Sequence, residues 1–139
     1  MNNLEQDIIK SAESFIELYK SNGTFDYSTA SLYTIDEMLN DLHLNKPTDI
    51  EIANACSIFG SYIFETLKRN YGGTYAMDEI EPSLLSDSSL NRVKLLVFSK
   101  VGSRIIVGDS HSIIDYLKDY VIALYSEPLN ESLDYKLIK

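Results

Sequence analysis

The chain has 139 residues, 45% of them hydrophobic and 24% charged, with a formal net charge of −9. That length suits a single domain with a sizeable core, and the composition argues against a disordered chain. The excess of 21 acidic over 12 basic residues argues against nucleic acid or an anionic membrane as a partner and for a basic protein surface.

The single cysteine, Cys56, leaves no disulfide to form within the chain and lies on a helix face that suits a small buried hydrophobe. No run approaches the roughly 18 apolar residues that suggest a membrane span. The N-terminus lacks the basic-then-apolar order of a secretory leader, so the expected location is the cytoplasm.

Asn2 or Asn3 offers the cap of a first helix with Leu4, Ile8, Ala12, Phe15, Ile16 and Tyr19 along one side. Gly23 is placed to take the left-handed position that ends it. Phe25 to Tyr27 reads as extended. Ser28 then caps a second helix whose inner residues are Leu32, Ile35, Met38, Leu39 and Leu42. The third helix is the longest and the organising one. Ile52, Cys56, Phe59, Ile63 and Leu67 recur at helical spacing, and Ala53, Gly60, Phe64 and Tyr71 widen that arc. Thr48 and Glu51 form a capping box at its start, behind Pro47, and Gly72-Gly73 supplies its stop. Thr74 to Met77 reads as a short strand.

The following stretch, DEIEPSLLSDSSLN, reads as a turn-rich acidic connection, and Arg92 to Phe98 as a strand pairing antiparallel with residues 74–77. Residues 99–107 fit either a third strand turned at Val101-Gly102 or a short helix ending at Gly108. Asp109-Ser110 caps a last helix with Ile113, Ile114, Leu117, Val121 and Leu124 inside, which Pro128 ends. Residues 127–139 read as a loose or weakly docked tail. The expected class is α+β: one domain over residues 1–139, with four to five helices packed on a small antiparallel sheet. The expected core is Ile8, Phe15, Leu32, Ile35, Leu39, Ile52, Cys56, Phe59, Ile63, Leu67, Leu95, Val97, Ile114, Leu117 and Val121.

Nothing in the chain spells out catalysis. There is no nucleophile elbow, Walker loop or dinucleotide-binding glycine pattern, and Gly72-Gly73 follows a helix, whereas a phosphate cradle precedes one. His43 and His111 have no partner at metal-ligand spacing. No catalytic residue, metal or cofactor is therefore expected. Glu65 lies three and four residues before Lys68 and Arg69. It suits either a helical ion pair or an inward hydrogen bond that fixes the sheet.

Charge is segregated. Asp78, Glu79, Glu81 and Asp87 occur with no Lys or Arg between Gly72 and Asn91. Asp36, Glu37 and Asp41 cluster on the second helix, while Arg92, Lys94, Lys100 and Arg104 come with no acid among them.

Three segments carry a resemblance: FDYSTASLYTIDEMLNDL, FGSYIFETLKRNYGGTY and FSKVGSRIIVGDSHSIIDYL. In order and spacing they resemble an uncharacterised family of small bacterial α+β domains, over roughly residues 25–120. Phe64 stands where that family has a second glycine, Tyr75 where it has tryptophan, and Gly102 where it has a basic residue. The resemblance implies a stand-alone cytoplasmic protein with no established enzymatic activity. Some members sit beside secreted toxins and are read as immunity proteins. It also favours the short helix over residues 99–107.

The resulting expectation is an immunity-type binding protein that blocks the basic active or substrate-binding surface of a cognate toxin. The first candidate patch is Tyr75 with Asp78, Glu79 and Glu81, and the second is Asp36, Glu37 and Asp41. Glu65, Gly72 and Gly73 are expected to be structural. The alternatives are a small hydrolase or regulatory enzyme using Glu65 with His111, and a structural adaptor that self-assembles.

Overall fold

A computed structural model describes residues 3–87, 92–126 and 135–139. The chain runs α1 (Asn3–Tyr19), α2 (Ser31–Leu44), α3 (Asp49–Tyr71), β1 (Thr74–Asp78), β2 (Glu81–Leu85), β3 (Val93–Leu95), α4 (Val97–Ile106), a 3-10 turn (Asp109–His111), α5 (Ile113–Tyr125) and β4 (Lys136–Ile138). The class is α+β, with five α-helices and one four-stranded sheet among the described residues.

The central helix is the one its periodicity indicates. The Thr48 hydroxyl accepts from Glu51 N–H at 3.2 Å, and the Glu51 carboxylate accepts from Thr48 N–H at 3.1 Å, closing the capping box. At its far end Gly72 and Gly73 take φ of 81° and 117°, and Gly72 N–H donates to the Lys68 carbonyl. Between the caps α3 is buried all round from Phe59 to Leu67, so it has neighbours on both sides. It packs most extensively against α1 and α4. At Gly60 a β-carbon would collide with the Phe98 ring of α4, so the close approach of the two helices requires glycine there. On the α1 side the Phe15 ring lies 4.9 Å from those of Phe25 and Phe59, and 5.0 Å from those of Tyr19 and Tyr62.

The strands run in the order β1-β2-β3-β4, antiparallel except for the parallel β3–β4 pair. Tyr75, Leu84, Leu95 and Ile138 are paired across the sheet and all buried, forming its inward row.

Several sequence expectations are corrected. The acidic stretch after Met77 holds β2, so β1 pairs with Glu81–Leu85 and not with residues 92–98. The strand there is only Val93–Leu95. Val97 and Phe98 open α4, where the Glu81 carboxylate accepts from Ser99 N–H and so serves an orphan donor of the first turn. Residues 99–106 are helical, as the resemblance favours. Ser112, not Asp109-Ser110, caps α5, accepting from Ile114 N–H and Asp115 N–H. Gly23 does not take positive φ.

Of the two readings of the C-terminal tail, the docked one holds for its end, where Lys136–Ile138 pair with β3 and Ile138 is buried. Residues 127–134, with Pro128, lie outside the described residues, as does Asn2. Of the expected core, Ile52, Cys56 and Leu117 are half-buried, and Val121 lines a surface groove beside Tyr33, Tyr71 and Ile122.

Candidate interaction surface

Helix α2 turns Leu32, Ile35 and Leu39 into the core. Its opposite side carries Tyr33, Glu37, Asp41 and Leu44 at 4-4-3 spacing, one line along a helix. All four are exposed, Tyr33 to 57% and Leu44 to 66%. The carboxylates of Glu37 and Asp41 have no salt bridge or hydrogen bond with any described residue. Large apolar side chains continue this exposure on neighbouring segments: Ile50 at the start of α3, and Ile106 and Val107 at the end of α4. The result is a helix face with two unneutralised acids set between an aromatic and an aliphatic side chain.

Asp36, the third residue of that patch, faces elsewhere. It accepts from Arg104 Nε at 3.0 Å and from Ile113 N–H at 2.9 Å, tying α2 to α4 and to the start of α5. Its job is structural.

The other patch is largely consumed within the fold. Asp78 pairs with Lys94 at 2.7 Å, and Glu81 accepts from the backbone and hydroxyl of Ser99. Of this patch only Glu79 is exposed with no salt bridge or hydrogen bond to a described residue, at the hairpin tip with φ 46°. The Tyr75 side chain is turned into the fold and cannot serve as a contact for a partner. Its hydroxyl donates to Glu65 Oε2 at 2.8 Å, while Arg69 Nε donates to Glu65 Oε1 at 3.2 Å. Burial first, and the Glu65 charge second, hold the Tyr75 hydroxyl far above the ordinary tyrosine range. Glu65 is thus the inward brace that joins α3 to β1, and the Arg69 guanidinium lies 3.6 Å from the centre of the Tyr27 ring.

This brace gives a direct prediction. Tyr75→Phe removes one donor to a buried carboxylate and is expected to cost about 1–3 kcal/mol in a urea titration. An unchanged midpoint would show that the hydroxyl does not support Glu65.

Glu65 and His111 are not brought together. The Glu65 oxygens are taken by Tyr75 and Arg69, whereas His111 Nδ1 lies 3.4 Å from Lys100 Nζ. His43 Nδ1 bonds the Ile105 carbonyl at 2.7 Å. Among the described residues no group of three metal-ligating side chains converges, and no helix is long and apolar enough to cross a membrane. Burial raises the Cys56 thiol, which makes it a poor nucleophile at neutral pH.

Three of the four cations in the run noted in the sequence are also absorbed. Lys94 and Arg104 pair with acids. Lys100 is buried over the Tyr116 ring, and burial lowers its pKa. Sequence reasoning missed the Asp36–Arg104 and Tyr75–Glu65 pairs because their partners lie 68 and 10 positions apart, with no local spacing rule to join them.

Comparison with protein-family models, curated proteins and solved structures finds no match to this chain.

Proposed function

We propose that this chain is a cytoplasmic, immunity-type binding protein that neutralises a cognate bacterial toxin by covering its basic active or substrate-binding surface. The observation that supports this most is the outer face of α2, where Glu37 and Asp41 stand exposed, with no partner among the described residues, between Tyr33 and Leu44. Carboxylates that do no work in the fold remain free to act on something outside it. A toxin that acts on nucleic acid holds its anionic substrate with Lys and Arg, and an acidic helix face competes for those groups. The tyrosine and leucine at either end suit the apolar part of such an interface. Full coverage would bury about 1,200–2,000 Å² in total. The net charge of −9 argues against self-association through the same acidic face.

The test is neutralisation in cells. Co-expression with the protein encoded by the neighbouring reading frame should restore growth, and the folded double variant Glu37→Lys/Asp41→Lys should fail to do so. Equal protection by the double variant would remove the α2 face from the account. No protection by the wild type would remove the immunity reading itself.

A further inference from the structure

The β1–β2 hairpin closes on two residues, Glu79 and Ile80, with Asp78 facing Glu81. In such a hairpin the flanking pair exchanges both backbone hydrogen bonds, and bonded and non-bonded pairs then alternate along the ladder. The bonded pairs are therefore Asp78 with Glu81, Ala76 with Ser83, and Thr74 with Leu85. Pro82 fits this register, since it faces Met77 in a non-bonded pair where no N–H is called for. Tyr75 and Met77 consequently aim their backbone N–H and C=O groups away from β2. Among the described residues no strand lies on that side, where β1 is the edge of the sheet. Among the described residues none of these four groups has a hydrogen-bond partner.

Edges of this kind are usually blunted by lysine, proline or a bulge. The opposite edge, β4, carries Lys136, but β1 carries neither lysine nor proline. Its one strongly exposed apolar side chain is Met77, at 56%. Acids stand at both ends of the edge. Glu79 is at the tip, and Asp87 at the foot accepts from Gly73 N–H at 2.9 Å; neither is opposed by a cation among the described residues.

We infer that the free edge of β1 accepts an extended, cationic segment of a partner protein as an added strand, with Tyr75 and Met77 supplying its backbone hydrogen bonds. The main chain provides the adhesion, and Glu79 and Asp87 select for positive charge. A second copy of this chain is a poorer occupant. Antiparallel pairing about Ala76 would set Glu79 of one copy against Gly73 of the other, beside Asp87.

The test needs no identified partner. The full chain, labelled with nitrogen-15, is titrated with a short synthetic peptide of alternating lysine and valine. The Tyr75 and Met77 amides should shift and exchange more slowly with solvent, by about tenfold or more at saturation. The same peptide N-methylated at alternate amides should bind about tenfold more weakly, or not at all. Met77→Pro deletes only an outward N–H and leaves the ladder to β2 intact, so it should weaken the parent peptide to a similar degree while Met77→Ala does not. If Met77→Pro fails to fold, the methylated peptide carries the comparison alone. Shifts confined to the α2 face would overturn the inference, as would equal binding of the methylated peptide. Concentration-dependent protection of the edge without peptide would overturn it in favour of a second copy. The inference uses no part of the α2 face, so its failure leaves the neutralisation reading standing, and the reverse also holds.

Discussion

Phe59→Ala is expected to lower the free energy of unfolding by about 3–5 kcal/mol. Phe59 is 3% exposed and sits on the α3 face that meets α1, with ring centres 4.9 Å from Phe15 and 5.4 Å from Tyr19. Truncation removes a ring's worth of apolar contact and leaves a void between two helices held in place elsewhere. The α1–α3 contact cannot close over it, because Gly60 and Phe98 fix α3 on its other side. The cost is set by the lost transfer energy plus the unfilled cavity. Against about 5–15 kcal/mol for an ordinary domain, that is a large share of the total. Denaturant midpoints of the two proteins measure it. A thermal midpoint within a degree or two of the wild type would mean that α3 does not present this face to the core.

Asp36→Ala is expected to cost about 3–5 kcal/mol as well, by a different mechanism. Arg104 is 2% exposed, and its Nη1 has no hydrogen-bond partner among the described residues. Asp36 is the acceptor that makes this burial tolerable. The Asp109 carboxylate lies 3.4 Å from Nη2 but is itself in solvent, where an ion pair is worth little. Removing Asp36 therefore leaves a buried guanidinium nearly uncompensated and frees the Ile113 N–H at the start of α5. Replacing both partners with apolar residues, Asp36→Leu with Arg104→Met, should recover most of the loss, since the penalty belongs to the unpaired charge and not to the absence of the pair. A loss below about 1 kcal/mol for Asp36→Ala would show that water reaches Arg104.

The legible parts of this fold are those in which a local rule suffices. Helix α3 is written in its own period and its two caps, and α1 in its apolar stripe. Strand β2 was not legible because Glu81, Pro82, Ser83 and Ser86 look like turn residues. Pro82 is tolerated because it needs no N–H there, and Ser83 is buried with its hydroxyl bonded to the Ala76 carbonyl. Val97 and Phe98 favour a strand by type, yet tertiary context overrides that preference, as the Glu81–Ser99 bonds serve the first turn of α4. Tyrosine was the least readable residue, since amphipathic rings fit the core and the surface alike. Tyr62, Tyr116 and Tyr120 are fully buried, while Tyr33 is exposed.

The candidate surface was half legible for a related reason. Acid-rich stretches can be counted in a sequence, but not which acids the fold will consume. Asp36, Asp78 and Glu81 turned out to hold the structure together; Glu37, Asp41 and Glu79 did not.

The most direct test of the binding account is the association rate, by stopped flow, between the full chain and the protein encoded by the neighbouring reading frame, at low and at raised salt. The account predicts a rate that falls as salt screens the acidic face. It also predicts that the folded Glu37→Lys/Asp41→Lys variant associates about tenfold or more slowly at low salt. A rate indifferent to salt and unchanged in that variant would contradict it.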